Sequence, residues 1–227
     1  MGLLAKFKNR EQAAIILSPE FDATRTQDAA EYHYNLAVAL LERSLYEEAL
    51  SEFKQAIRRG METAEVQYNL GLTCAQLDRS TEAIKHYERA IKLSPDFVEA
   101  YNNLGLIYSH LGRNIEAMKA FIRAIRLKPD FVEAHNNLGI VYYNCGSYAE
   151  AVKSCKKALQ IKPGYSYAHY SLGLIYIDLR DKPRAMEEQQ TLKDLDEEMA
   201  VQLLDAIHRE FLTNRNQNWK EAQDVQA

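Results

Sequence analysis

The chain has 227 residues, of which 47% are hydrophobic and 26% are charged, and its 28 basic and 32 acidic residues give a formal net charge of −4. This composition is typical of an ordered globular protein and excludes a disordered or collagen-like chain. The slight acidic excess does not provide the overall positive charge that is typical of nucleic-acid-binding proteins, so we expect no nucleic-acid partner. A basic partner fits this charge better. No apolar run approaches the roughly 18 residues that a membrane span needs.

Residues 1–29 predict an amphipathic N-terminal extension. Apolar residues at helical spacing oppose basic ones: Leu3, Leu4, Phe7, Ala14 and Ile15 against Lys6, Lys8 and Arg10. Three roles for this segment remain open: a cap on the following repeats, docking on another copy of the chain, or contact with a membrane surface.

A short signature then recurs every 34 residues. It reads Tyr68-Asn69-Leu70-Gly71, Asn102-Asn103-Leu104-Gly105, Asn136-Asn137-Leu138-Gly139 and Tyr170-Ser171-Leu172-Gly173. Alanines recur in register at Ala49, Ala83, Ala117, Ala151 and Ala185, and prolines at Pro95, Pro129 and Pro163. The period defines five units, residues 30–63, 64–97, 98–131, 132–165 and 166–199.

Each unit predicts two helices. In the third unit the first helix carries an apolar stripe through Leu104 and Tyr108, and the second carries one through Ala117 and Phe121. Gly112 suits the left-handed residue that ends a first helix, as does Gly146 in the next unit.

Two local details follow from these helices. Ser80 and Asn114 are expected to cap second helices. The mid-helix glycines, such as Gly71 and Gly105, are expected to pack against the alanines of the second helix, such as Ala83 and Ala117, and to bring the two backbones close together.

The order of aromatic, Leu-Gly, Tyr, Ala, aromatic, Ala and Pro on a 34-residue period resembles the tetratricopeptide repeat over residues 30–199. The resemblance implies an all-α fold, a right-handed α-solenoid superhelix of five helix hairpins. First helices would line a concave groove, and second helices would form the convex back. Residues 197–212 then predict a C-terminal capping helix, and residues 213–227 a flexible tail.

The sequence contains no recognisable catalytic motif, so we expect no catalytic residue, no cofactor and no metal site, and the protein is not predicted to be an enzyme. His33, His135 and His169 share the fourth position of their units, where Tyr101 stands in the third, and are expected to replace an aromatic packing residue. The three cysteines follow no CxxC spacing, which indicates a reducing compartment such as the cytoplasm.

Two polar columns face the predicted groove. Position 6 of successive units holds Asn35, Asn69, Asn103 and Asn137, and position 5 holds Tyr34, Tyr68, Asn102 and Asn136. A carboxamide can bond both the N–H and the C=O of an extended backbone, so these columns predict a peptide-binding site, to which Leu106 and Tyr143 add side-chain contacts. The alternative is that the asparagines bond only within the repeats. The asparagine column is similar to that in the repeat region of the O-linked N-acetylglucosamine transferases, whose catalytic domain has no counterpart here.

Acidic and basic residues are predicted to lie on different faces of the solenoid. Position 2 holds Glu31, Glu65, Glu99 and Glu133, an acidic edge along the groove. Second helices of the third and fourth units carry a convex basic patch: Lys119, Arg123, Arg126, Lys153, Lys156 and Lys157. The patch is either a solvated back or a surface for an anionic membrane or acidic partner.

These observations predict a non-enzymatic protein–protein interaction scaffold that binds an extended peptide segment of a partner in its concave groove. The alternative is a membrane-peripheral organiser or self-assembling scaffold that uses the N-terminal helix and the basic patch. The expected location is the cytoplasm, with or without peripheral attachment to a membrane surface.

Overall fold

A computed structural model describes the backbone of residues 29–224 and the side chains of residues 29–211. The N-terminal extension, up to residue 28, lies outside the described residues. Between residues 29 and 224 the secondary structure is entirely helical, so the predicted all-α class is confirmed.

The helices follow one another as antiparallel pairs. Their bounds are α1 Ala29–Glu42, α2 Tyr46–Arg58, α3 Ala64–Gln76, α4 Ser80–Leu93, α5 Val98–His110, α6 Asn114–Leu127, α7 Val132–Asn144, α8 Tyr148–Ile161, α9 Ser166–Asp178, α10 Lys182–Leu195 and α11 Glu197–Asp224. Helices α3, α5, α7 and α9 begin 34 residues apart, so the sequence period is also the structural period.

Every hairpin turns at a residue in the left-handed conformation. The φ angles are 60° at Ser44, 56° at Asp78, 71° at Gly112, 74° at Gly146 and 60° at Arg180. The prediction for Gly112 and Gly146 is therefore confirmed. Three repeats adopt the same turn without glycine, which tolerates this φ best.

The predicted caps of the second helices are wrong. Ser80 and Asn114 are the first helical residues, and the capping positions belong to Arg79 and Arg113, neither of which makes a side-chain cap bond. The capping position is the residue directly after the left-handed turn residue, and in the fifth repeat it is Asp181, whose carboxylate accepts a hydrogen bond from the Arg184 N–H.

The chain divides into two compact units, Met1–Ile107 and Tyr108–Ala227, with the boundary inside α5. In the first unit α1 packs on α2 and α3 on α4, around the fully buried Phe53 and Leu70. In the second unit α7 packs on α8 and α9 on α10, around the fully buried Leu172 and Ile175. Burying one such side chain stabilises the fold by about 1.5–3 kcal/mol.

Gly71 and Gly139 bring a first helix close to its second helix, and the predicted alanine is among the nearest neighbours of only one of them. A Cβ on Gly71 would lie 2.6 Å from Tyr87 Cε1, whereas a Cβ on Gly139 would lie 2.5 Å from Cys155 Sγ and 3.2 Å from the Ala151 carbonyl oxygen. Tyr87 and Cys155 both occupy position 24 of their repeat, four residues beyond the recurrent alanine. The glycine therefore makes room for a side chain that crosses between the helices.

Helix α11 closes the end of the second unit. Leu203 and Ile207 are fully buried, Gln189 Nε2 donates to the Ala200 carbonyl oxygen at 3.3 Å, and a Cβ on Gly173 would overlap Leu203. The helix runs to Asp224, so its predicted end at residue 212 is wrong. Residues 197–227 contain neither proline nor glycine, and the loss of apolar periodicity does not by itself stop a helix.

Candidate functional site

The predicted groove residues of the first unit lie on its first helices. On α1, Tyr34 and Asn35 are half-buried. On α3, Tyr68 is half-buried and Asn69 is buried. On α5, Asn102 is buried, and Asn103 and Leu106 are half-buried. We call the surface formed by Tyr34, Glu65, Tyr68, Asn69, Glu99 and Asn103 the Tyr-Asn face.

Tyrosine and asparagine bond to each other from one repeat to the next. Asn69 Nδ2 donates to Tyr34 Oη at 3.3 Å, and Asn103 Nδ2 donates to Tyr68 Oη at 3.0 Å. Each bond joins position 5 of one repeat to position 6 of the following repeat, 35 residues along the chain. The two columns were predicted separately, and their pairing could have been found only by assuming that successive first helices are neighbours.

These bonds use part of the hydrogen-bonding capacity of the face. Within residues 29–211 each tyrosine oxygen accepts one bond, and its own O–H proton is left for another acceptor. Asn103 Oδ1 accepts from Asn102 Nδ2 at 3.3 Å, and the Asn103 amide group also interacts with the hydroxyl group of Tyr87 in its own unit. The alternative of bonding within the solenoid thus holds for the Nδ2 group of Asn69 and for both ends of the Asn103 carboxamide.

Both phenols remain neutral donors at physiological pH. Burial raises the pKa of Tyr68 to about 12, and the nearby Glu99 carboxylate adds to the rise. Burial and the Glu65 carboxylate raise the pKa of Tyr34 in the same way. Each hydroxyl group therefore lies within the electrostatic influence of the glutamate of the following repeat.

In the second unit the predicted groove residues differ in burial and in hydrogen-bond partners. Tyr143 Oη donates to Asp178 Oδ2 at 2.8 Å, again across 35 residues, and burial together with this bond raises the pKa of Tyr143 to about 12. Asn137 is half-buried on α7. Asn136 is only 2% exposed, and Cys155 Sγ donates to its Oδ1 at 3.9 Å. Its side chain supports the packing of α7 on α8 and is not accessible to a peptide.

The fourth-position histidines are hydrogen-bonded groups, and not only aromatic replacements as predicted. The Nδ1 atoms of His33 and His169 lie 2.6 Å from Glu52 Oε2 and Glu188 Oε2, nineteen residues further on in the second helix. His135 Nε2 lies 2.9 Å from the Pro129 carbonyl oxygen. No group of three His, Cys, Asp or Glu within the described residues is arranged to hold a metal ion.

Burial also explains why two of the cysteines are unreactive. It raises the pKa of Cys74 to about 11 and that of Cys155 to about 12, so both thiols stay protonated and unreactive.

The basic patch lies on α6 and α8 of the second unit, and its six members are all exposed. Within residues 29–211 no ion pair involves Lys119, Arg126, Lys153 or Lys156. Lys157 Nζ donates to Gln160 Oε1 at 3.5 Å, which leaves its charge uncompensated.

Family models match the chain over more than half of its length. A TPR repeat model matches residues 73–112 and 108–146, and tetratricopeptide repeat models match residues 132–165 and 19–62. The chain belongs to the tetratricopeptide repeat family.

Solved structures share the fold at low sequence identity. MamA is 24% identical, with a TM-score of 0.65 over 73% of this chain and 96% of MamA. YrrB, described as a TPR protein with an unusual peptide-binding site, is 22% identical, with a TM-score of 0.63 over 81% of this chain and 95% of YrrB. TTC0263, a thermophilic TPR protein of Thermus thermophilus, is 22% identical, with a TM-score of 0.64 over 79% of this chain and 99% of TTC0263. At these identities the similarity establishes the fold alone.

No curated protein matches the chain in sequence. Among the helices of residues 29–224, none combines the length and the apolar composition that crossing a membrane requires.

Proposed function

We propose that this protein is a non-enzymatic protein–protein interaction scaffold whose first helices bind an extended peptide segment of a partner. The observation that carries the proposal is the repeated Tyr-Asn bond, which fixes the asparagine and leaves the O–H protons of Tyr34 and Tyr68 for an acceptor beyond the described residues. A fixed carboxamide binds a backbone with less loss of conformational entropy than a mobile one. The family and the peptide-binding site described for YrrB support the same class of function.

The test replaces Asn103 and Asn137 together by alanine. Peptides of about 12 residues are first selected by phage display against the whole chain, a length that extends about 40 Å. Two selected peptides of unrelated sequence are then titrated calorimetrically. We expect the double variant to weaken both to a similar degree, by about 1 kcal/mol for each lost bond, because backbone contacts do not read side chains.

Leu106→Ala is the matched comparison, because an apolar contact carries sequence information and should discriminate between the two peptides. Unchanged affinity of the Asn103→Ala, Asn137→Ala variant for both peptides would exclude the asparagines from binding. The circular dichroism of each variant must match that of the native chain.

A second candidate function is recruitment to an anionic membrane surface through the basic patch. It is favoured by the exposed cations of α6 and α8, because Lys119, Lys153 and Lys156 lack an ion-pair partner within the described residues. Lysines close to an anionic bilayer contribute about 1 kcal/mol each to binding.

Sedimentation with vesicles containing phosphatidylserine tests this candidate. Replacing Lys119, Lys153 and Lys156 by glutamine should lower vesicle affinity by roughly a hundredfold. The control replaces Lys54, Lys85 and Lys92, which lie exposed on α2 and α4, and removes the same net charge. Equal losses in the two triple variants would mean that net charge alone acts and that the patch is not a binding site.

A further inference from the structure

We propose that the Tyr-Asn face of the first unit selects a cationic peptide, one that presents lysine or arginine at every third residue in a polyproline II conformation. This inference rests on the proposed function and names the chemistry of the partner. It is carried by the distribution of charge over the helices, by the carboxylates that lack a counterion, and by the spacing of the repeats.

The first helices contain no lysine or arginine. This holds for α1, α3 and α5 of the first unit and also for α7 and α9 of the second. Each second helix, in contrast, carries at least two such residues. The face that would meet a peptide therefore carries only negative formal charge, apart from histidine.

Within the described residues, Glu65 and Glu99 of this face have no ion-pair partner, whereas other acidic residues of the same unit have one. Glu47 pairs with Arg79 at 2.8 Å, and Glu62 pairs with Arg89 at 2.7 Å. Glu65 and Glu99 are exposed and form no ion pair with any described residue. Because the protein supplies no cation to these two carboxylates, a cation on a ligand meets them without displacing an internal partner.

The geometry of the repeat sets the register. Neighbouring first helices lie roughly 10 Å apart, as packed helices do. A polyproline II peptide has three residues per turn and rises about 3.1 Å per residue, so every third side chain recurs on the same side after about 9 Å. Successive cations of such a peptide would meet Glu65 and then Glu99.

The tyrosines complete the match to this conformation. A polyproline II backbone makes no internal hydrogen bonds, so its carbonyl groups are free to accept. Tyr34 and Tyr68 each hold an O–H proton without an acceptor among the described residues, and each lies within the electrostatic influence of the glutamate of the following repeat. The two pairs, Tyr34 with Glu65 and Tyr68 with Glu99, thus each offer one donor for a carbonyl group and one carboxylate for a cation.

The experiment uses the full chain and three fluorescein-labelled peptides of equal length. The first repeats Lys-Pro-Ser, and the second repeats Gln-Pro-Ser. The third has the composition of the first in a scrambled order in which no two lysines are three residues apart. Fluorescence anisotropy at low salt should show the first peptide binding about tenfold more tightly than either other peptide, and this preference should fall as salt is added.

Matched variants locate the effect. Glu65→Gln with Glu99→Gln should lower affinity for the Lys-Pro-Ser peptide by at least about fivefold. Glu48→Gln with Glu150→Gln removes the same charge from exposed positions of second helices and should change affinity by less than about twofold.

The inference fails if the Glu65→Gln, Glu99→Gln variant binds the Lys-Pro-Ser peptide as the native chain does, or if the two lysine peptides bind equally well. The selected peptides of the asparagine test keep the two proposals separate. Suppose that the Asn103→Ala, Asn137→Ala variant binds those peptides more weakly, while the glutamate variant binds the Lys-Pro-Ser peptide as the native chain does. This pair of results overturns the inference and leaves the proposed function standing.

Discussion

Five turn residues share one backbone conformation although their side chains differ. Ser44, Asp78 and Arg180 adopt φ angles of 60°, 56° and 60°, close to those of Gly112 and Gly146 in the same position of other repeats. For an L-residue this conformation costs on the order of 1 kcal/mol, because the Cβ approaches the following carbonyl oxygen. The turn is therefore imposed by the packing of the two helices and is not selected by its own residue.

Ser44→Gly is expected to raise the free energy of unfolding by about 0.5–1 kcal/mol, because glycine reaches this φ without the steric cost. The control is Ser51→Gly, at an exposed position inside α2, which should lower the free energy of unfolding by about 0.5 kcal/mol. Urea denaturation followed by circular dichroism measures both changes. If both substitutions destabilise, the turn does not strain Ser44.

Among the elements, α9 and α10 are joined by a histidine that lies between two acceptors. His169 Nδ1 is 2.6 Å from Glu188 Oε2, and its Nε2 is 2.9 Å from the Pro163 carbonyl oxygen. Neither oxygen can donate, so both contacts are satisfied only when each ring nitrogen carries a proton. The bond to Glu188 is the main reason that the pKa of His169 is raised, against the effect of burial.

This bond predicts a pH dependence of stability. Because the pKa of His169 is higher in the folded chain than the ordinary value of about 6.5, its contribution is complete below that value and is lost as the pH rises through the folded pKa. We expect the urea midpoint of the native chain to fall, relative to that of His169→Gln, as the pH is raised through this range.

Two further variants test the assignment to this pair. Glu188→Gln should remove most of the difference in pH dependence, because the partner charge is lost, whereas Glu187→Gln, at an exposed position of the same helix, should keep it. An unchanged pH profile in His169→Gln would show that the pair does not contribute to stability.

Contacts between helices were less predictable than the helices themselves. The 34-residue period determined which residues share a position, and therefore the hairpins and the left-handed turns at Gly112 and Gly146. It did not indicate that Gly71 faces Tyr87, because the period alone does not give the rotation of one helix against the other. The same limitation hid the bond between His33 and Glu52, two residues in different positions of one repeat.

At the scale of the whole molecule, the candidate site was predictable as a set of positions but not as a set of bonds. Asn69 and Asn103 were identified from their column, yet their tyrosine partners lie 35 residues away, in the preceding repeat. Asn136 was included because it shares a position with Tyr34 and Tyr68, but its small side chain turns toward Cys155 and is buried. A column in a repeat therefore predicts a location, while the size of each side chain decides its direction.

Helix α11 also determines how this chain can polymerise. With Leu203 against Gly173 and Ile207 fully buried, α11 covers the surface that a further hairpin would use to extend the second unit. A filament formed by end-to-end stacking of solenoids needs that surface uncovered, so it cannot grow from this end while α11 stays in place. Any higher-order assembly of the folded chain must therefore use surfaces other than the one that α11 covers.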